Sequence, residues 1–536
     1  MGGSDEVRKA HVEKIITNTN DSPNPRPTLL VTLNDTKTTV HWAAIGGIFF
    51  MALAIRLLAF QGYSDSDPRD YTLLAFDLSH GQIHVPGYEG SPVFPLRWGV
   101  YTPVALLFKV FGVSEITIAI YPLVMSLLGI ILGYAFGRML WGPLAGLIAS
   151  FLLSVIPMDM TASTILYPDH IAAIWANAGM FLLFGALHIK RTRLALLVGI
   201  FSGLAFGFSW LCKESVAYLV PIVAIILFLP LITPNLKLRI SVIVAISIGA
   251  ISVLAVEAIS YYILTGDVLF RLHETERNYR QSSMWFFTKD SPYFGWTGSR
   301  LNALAYRLFW QGPKVLLGSS ALAAVGAFGC LSVLIIFLKK LCYRWFILAW
   351  IGGILFIFNF GSSSFKEYIP LVPFARYLYP LVFPACLAIA GAITALAVGS
   401  FDTPRPQIVW SIVLFILFLC FDFARLPHNT WEKSEPVRRK VASQLRTDDL
   451  VFSDYRSASS ITFYRFNKLY SDKRTIPYEG VSAASIPTGA YIFIDKNTTD
   501  FLEKSYKYEK MKFEDNPSEN WKVIWREGNA TLFRVE

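Results

Sequence analysis

Between residues 41 and 425 one apolar stretch follows another, most of them about the 17–25 residues that a helix needs to cross a hydrocarbon layer. About eleven such stretches can be counted, centred near residues 50, 125, 150, 178, 201, 223, 251, 327, 351, 386 and 415. The third is short, and the tenth is interrupted by Pro380 and Pro384. Composition agrees with a polytopic α-helical membrane protein. Hydrophobic residues make up 54% of the chain and charged residues 16%, and the mean hydropathy is +0.46. These values are far from globular usage.

Charge gives the spans a direction. The formal net charge of +10 is better explained by loops obeying the positive-inside rule than by nucleic-acid binding. Counted from a cytoplasmic N-terminus, the inside turns hold Arg138; Lys190, Arg191 and Arg193; Lys237 and Arg239; Lys339, Lys340 and Arg344; and Arg405. The expected topology is N-in, C-out. Residues 1–40 are polar, with Pro23, Pro25 and Pro27, and form a cytoplasmic tail with no signal-peptide pattern. All five cysteines lie in or beside apolar runs, which points to no disulfide framework and no thiolate metal site.

Residues 41–425 thus form the membrane domain, with two long external segments at 61–114 and 266–312. Within the first, Val100–Gly112 is semi-apolar, carries Lys109 and suits an interfacial helix. The second is polar and aromatic, with Trp285, Phe286, Phe287 and Trp296, and it contains His273 as an accessory candidate. Residues 426–536 have soluble composition and are expected to form a small external α/β domain. Glu435–Leu445 is helical in pattern, and Asp449–Asp454 and Ala490–Asp495 read as strands. A hairpin is expected from Trp521–Arg526 and Thr531–Val535 around Glu527-Gly528-Asn529.

The topology sorts the acids. Asp65, Asp67, Asp70, Asp77, Asp159, Asp169, Glu214, Asp267, Glu274, Glu276 and Glu367 all fall on the external side, at or near span ends. Carboxylates close to hydrocarbon are costly and tend to serve function, although any one of them alone is more often a solvated loop charge. Asp65, Asp67 and Asp70, with Tyr71, stand just past the first span, where a carboxylate can act as general base on an acceptor hydroxyl or amine. The same residues also fit a helix start, with Asp67 as cap, Pro68 first and Asp70 third. Asp169 opens the fourth span, where the helix dipole favours an anion able to hold a metal, a sugar hydroxyl or a cation. A plain cap is a comparable reading.

Lys213, beside Glu214, and Arg376 are cations on the side that the K/R bias leaves poor in them, and they suit a lipid-linked phosphate. Snorkelling is the bland alternative for Lys213. Glu257 lies inside the seventh run, its partner unnamed by sequence. Arg56, in the first run, is placed to snorkel or to pair with the Asp65–Asp70 loop. Metal signals are weak: there is no HExxH, CxxC or EF-hand loop, and Gly81 spoils the helical spacing of His80 and His84. No cofactor is required by the sequence, and a divalent metal is left open.

Several short motifs share one face. They are Asp67-Pro-Arg-Asp-Tyr71-Thr-Leu-Leu74-Ala75, Pro95-Leu-Arg97-Trp-Gly99, Leu107-Phe108-Lys-Val-Phe111-Gly112, Leu166-Tyr-Pro-Asp169, Cys212-Lys213-Glu214 and Ala375-Arg376-Tyr377-Leu378. Their order over roughly residues 40–400 resembles the C-superfamily of polyprenyl-phosphate-sugar glycosyltransferases, which contains protein O-mannosyltransferases and the lipid A aminoarabinose transferase. The resemblance implies inverting transfer from a polyprenyl-phosphate sugar to an acceptor lipid, polysaccharide or protein at the external face. It maps the general base onto Asp67, with Asp65 and Asp70 as neighbours, and a second acid onto Asp169, near the acceptor or a metal. It maps the phosphate grip onto Lys213 and Arg376, with Arg97 as a further candidate. The usual Asp-Glu pair of the first loop is replaced by Asp67-Pro68, and the Trp-Trp-Asp signature of oligosaccharyltransferases is absent.

Two other classes compete. A transporter or lipid flippase expects charges at the bilayer midplane and repeated halves, and only Glu257 speaks for it. A scaffold or receptor places function in 426–536, which lacks cysteine staples. A bacterial or archaeal plasma membrane is the expected location, and the Asn497-Thr-Thr and Asn529-Ala-Thr sequons keep an endoplasmic reticulum open.

Overall fold

The computed structural model describes residues 36–64, 67–86, 93–228, 236–286, 305–318, 322–361, 371, 375–398, 435–469, 472–506 and 510–536. The expected span near 415, Asp65, Glu367, Phe287 and Trp296 lie outside the described residues.

Helices form where the apolar runs predict them. Among the described residues five are long and apolar enough to cross a membrane: α4 (Glu115–Trp141), α7 (Pro168–His188), α8 (Thr192–Cys212), α10 (Leu236–Thr265) and Arg376–Ala397, most of which is α15 (Tyr379–Val398). A sixth is reached if Phe309–Gly318 and Ala323–Leu338 are one span. Shorter apolar helices cover Trp42–Leu58, Pro143–Val155, Glu214–Phe228 and Arg344–Phe360. The chain is an integral membrane protein.

Local chemistry explains the ends. Ser114 caps α4 by accepting from the Thr117 amide. Gly142 (φ 94°) ends that helix and releases Pro143 as the first residue of the next. Pro384 lies within α15 without ending it, and the preceding Ala375–Leu378 turn is a 3-10 helix.

Packing is closest between α8 and α10. A methyl built on Gly203 would meet the Ile246 carbonyl at 2.0 Å, and one on Gly249 would meet the Ile200 carbonyl at 2.1 Å. Gly199, Gly203 and Gly207 thus place small residues every fourth position along the contact, as close membrane helices require. Beside this seam lies an apolar cavity of 330 Å³, walled by α8, α10 and the helix over 214–228, with Trp210 and Val216 at one end.

In the first external segment, α2 (Asp67–Ser79) packs on α3 (Trp98–Phe111). Val100, Val104 and Phe108 of α3 face inward, while Leu106, Val110 and Phe111 are exposed on its other face. The C-terminal residues form a mixed five-stranded sheet in the order β2-β1-β3-β5-β4. The strands are β1 (Val451–Ser453), β2 (Thr475–Pro477), β3 (Tyr491–Asp495), β4 (Trp521–Glu527) and β5 (Ala530–Val535). The anticipated hairpin is β4–β5, turned at Gly528 (φ 56°). The strand pattern did not announce that β1 runs parallel to both β2 and β3. Parallel pairing needs a crossover, supplied between β1 and β2 by the helix Tyr455–Phe466.

Candidate active site

One end of the bundle gathers the charges. The N-termini of α2, α3, α7 and α15 meet the C-terminus of α8 there. The loop-end cations Arg138, Arg191, Arg193, Lys237, Arg239, Lys339 and Arg344 lie at the opposite helix ends.

Asp67 stands in the first turn of α2 and accepts a hydrogen bond from Arg376 Nη1 at 3.1 Å. The pair is partly open, with side-chain exposures of 24% for Asp67 and 31% for Arg376. Arg376 also donates to the Tyr167 hydroxyl, and its guanidinium lies over the rings of Tyr167 (5.7 Å) and Tyr377 (5.5 Å). Tyr377 is shared: Lys213 Nζ sits 4.3 Å from the centre of the same ring. Lys213 does not snorkel. It is buried and paired with the buried Asp169 at the start of α7. The aromatic face of Tyr377 thus joins two acid–cation pairs, one open and one closed.

Arg97 forms a two-point pair with Glu214, Nε to Oε2 at 3.1 Å and Nη2 to Oε1 at 2.6 Å. It also donates to the Tyr71 hydroxyl at 2.5 Å. Burial pushes the Tyr71 phenol well above its usual range, against the opposing pull of Arg97, so Tyr71 stays protonated. Asp70, in the same first turn of α2, is half-buried. The partner that sequence left unnamed for Glu257 is Arg271, at the start of the helix over 270–286, and Trp210 Nε1 donates to the same carboxylate at 2.8 Å. Arg271 also stands 3.9 Å from Glu214, so Arg97, Glu214, Arg271 and Glu257 alternate in sign along one buried row. His273 lies apart from that row on the surface, 2.7 Å from Asp267.

A second polar group lies beneath, and sequence reading missed it as a group. Arg56 neither snorkels nor joins the first loop; it is fully buried and pairs with Asp159. Arg56 Nε donates to Ser126 Oγ at 2.6 Å, and Ser126 donates in turn to Asp159 at 2.6 Å. Tyr379 also donates to Asp159, and His170 Nδ1 lies 2.6 Å from the Tyr379 hydroxyl. His170 follows Asp169, and Tyr379 is one turn beyond Arg376. The network therefore fixes both helix ends that carry the charges above. Its residues sit in five different segments, so no local spacing reveals them. Arg271 was also missed, being an ordinary loop arginine in the sequence.

Among the described residues no three His, Cys, Asp or Glu side chains converge as a metal-ligand set. Asp169 in particular has an ammonium on its carboxylate.

The arrangement can be set beside known proteins. A family model described as dolichyl-phosphate-mannose-protein mannosyltransferase matches residues 101–260. The chain is similar over 92% of its length to ArnT from Cupriavidus metallidurans in the apo state, covering 97% of that chain at 14% identity and TM-score 0.53. The chain has the C-superfamily glycosyltransferase fold. That fold is shared with the same ArnT bound to undecaprenyl phosphate (14% identity, 92% and 97% covered, TM-score 0.51). It also extends to the Archaeoglobus fulgidus oligosaccharyltransferase in the apo form, at 12% identity and TM-score 0.53, over 86% of this chain and 70% of that one. No curated protein matches by sequence. The resemblance drawn from the motifs is thus upheld. The matched residues 101–260 include Asp169 and Lys213, while Asp67, Arg97 and Arg376 lie outside them.

Proposed function

We propose that this protein is an inverting glycosyltransferase that moves a sugar from a polyprenyl-phosphate donor to a hydroxyl or amine acceptor at the external membrane surface. The observation that carries this reading is the open Asp67–Arg376 pair, resting on Tyr167 and Tyr377 beside the closed Lys213–Asp169 pair.

Arg376 is the first contact for the donor phosphate. It is the more exposed cation of the cluster, and a guanidinium binds phosphate through two parallel hydrogen bonds. A phosphate arriving there takes the place of the Asp67 carboxylate and frees it to face the acceptor. The acceptor oxygen or nitrogen then bonds to the anomeric carbon from the side opposite the phosphate. Its proton passes to Asp67, and the C–O bond to phosphate breaks with its electron pair left on the phosphate oxygen. Fixed cations at the leaving group and a placed base are each worth about 10²–10⁴-fold.

Lys213 adds positive charge behind the phosphate while holding Asp169, and Arg97 acts from a distance by holding Glu214 and Tyr71 in place. The apolar cavity between α8, the 214–228 helix and α10 suits the lipid tail, because Trp210 and Val216 at its end adjoin Lys213 and Glu214 in sequence. The exposed apolar face of α3 suits the lipid surface. In this reading the chain crosses the plasma membrane about eleven times, N-in and C-out, with the site on the outer side and 426–536 as an external domain. ArnT has been solved with undecaprenyl phosphate and the archaeal enzyme AglB with a dolichol-phosphate, and both favour a donor of that class here.

Incubation with a panel of polyprenyl-phosphate sugars, read by mass analysis of the products, tests the reading. Asp67→Asn is expected to abolish transfer while donor binding survives. Full turnover by that variant rejects Asp67 as the base.

A further inference from the structure

The three residues Gln61, Gly62 and Tyr63 lead from the helix Thr36–Leu58 to Asp67, and two bodies of the protein grip them. From the bundle, Gln61 N donates to Thr164 Oγ1 at 2.9 Å and Tyr63 N donates to Glu115 Oε1 at 3.3 Å. Gly62 is at φ 70°, and a methyl there would meet Glu115 at 2.3 Å, so the turn has one compact form. From the C-terminal region, Phe463 stacks on Tyr63 with ring centres 4.1 Å apart and planes 17° from parallel. Tyr464 donates to the Tyr63 carbonyl at 3.0 Å, and Ser459 Oγ lies 3.3 Å from the Tyr63 hydroxyl. Arg439 donates to the Gln61 carbonyl at 2.9 Å and pairs with Glu115, the same carboxylate that holds the Tyr63 amide. Tyr63 is 1% exposed as a result.

Tyr63 is four residues before Asp67. Thr164 is three before Tyr167, which holds Arg376, and five before Asp169. The clamp therefore joins the roots of both acid-bearing segments.

We infer that Arg439, Phe463 and Tyr464 are positioning residues for Asp67: the C-terminal region sets where the first-loop carboxylate stands, and so controls turnover without touching the donor. The inference rests on the glycosyltransferase reading for its consequence, but its mechanical half does not. A base displaced by an ångström loses about a hundredfold in rate. Arg376 gives up only its bond to Asp67 and keeps Tyr167 and Tyr377, and Lys213 keeps Asp169, so the proposed donor-binding cations hold their places.

The test uses the full chain in detergent or nanodiscs. Arg439→Ala and Phe463→Leu are expected to lower turnover about ten- to a hundredfold with donor half-saturation unchanged. Arg439→Lys should recover most of the loss, and Tyr464→Phe, which keeps the ring, should cost a few-fold. Hydrogen exchange supplies the second readout. Amides of 61–79 should lose protection in Arg439→Ala while those of 168–188 and of β1 and β3 keep theirs. Unchanged protection at 61–79, or turnover and donor half-saturation impaired together, overturns the positioning role. So does loss of protection throughout β1 and β3, which marks the residues as merely structural. If protection changes as expected but the wild type transfers no sugar from any donor tried, the clamp stands and the glycosyltransferase reading fails.

Discussion

Two acid–base clusters share the start of α7 and the stretch from the Ala375–Leu378 turn into α15. The outer one pairs Asp67 with Arg376 and Asp169 with Lys213; the inner one pairs Asp159 with Arg56. Both combine carboxylate, cation and tyrosine. They differ in access and in saturation. In the inner cluster Arg56 has no exposed surface, and its donors reach Asp159, Ser126 and the carbonyls of Ala52, Leu153 and Ser154. In the outer cluster the Asp67–Arg376 pair retains a quarter to a third of its surface. The same chemical parts make a closed scaffold where every Arg56 donor is taken, and leave one pair partly open in the outer cluster. Composition of a charged cluster therefore says little about its role, and its openness says more.

The largest expected effect tests the inner cluster. Asp159→Ala strands Arg56 in the bundle and should cost about 3–5 kcal/mol, seen as loss of a folded monodisperse protein or a sharply lowered Tm. A variant that stays as stable as wild type would break the distinction at its root. Next comes Arg376→Ala in the outer cluster, expected to leave Tm within a few degrees yet raise donor half-saturation about ten- to a hundredfold. Donor dependence equal to wild type would remove Arg376 from the phosphate.

Lys213→Met sharpens the comparison, because Lys213 is closed in geometry yet belongs to the outer cluster. Alone it should destabilise by leaving Asp169 uncompensated, and Lys213→Met with Asp169→Asn should restore Tm while transfer stays low. If the double variant also recovers transfer, the Lys213 pair is scaffold like Asp159. The smallest effect is Tyr379→Phe, which deletes one donor to Asp159: about 1 kcal/mol in stability and turnover within a few-fold.

Much of this was legible in the sequence because spans follow from run length and site acids from their position at span ends. Asp67 and Asp169 stand out as acids at span ends, Lys213 and Arg376 as cations on the side poor in them, and the structure brings them together around Tyr377. What escaped were pairings decided by packing across distant segments. Arg56 and Asp159 are 103 residues apart, and nothing near either predicts the other. Glu257 was legible as an acid in an apolar run, while its partner Arg271 sits beyond the end of the span. Lys213 was expected to reach for phosphate or the interface, yet α7 presents Asp169 directly to it. In the C-terminal region the hairpin was readable from its turn, whereas the parallel pairing of β1 with β2 and β3 depends on helices that carry no strand signal.

The glycine seam between α8 and α10 has a last consequence. These two helices form the long walls of the apolar cavity, and at Gly203 and Gly249 their backbones already touch. Their spacing is thus a fixed gauge on that side of the cavity. Under the proposed reading, in which an isoprenoid tail with a methyl on every unit enters this cavity, the gauge limits the cross-section that fits. A single added methyl at Gly203 would prise the walls apart and change the width of the cavity.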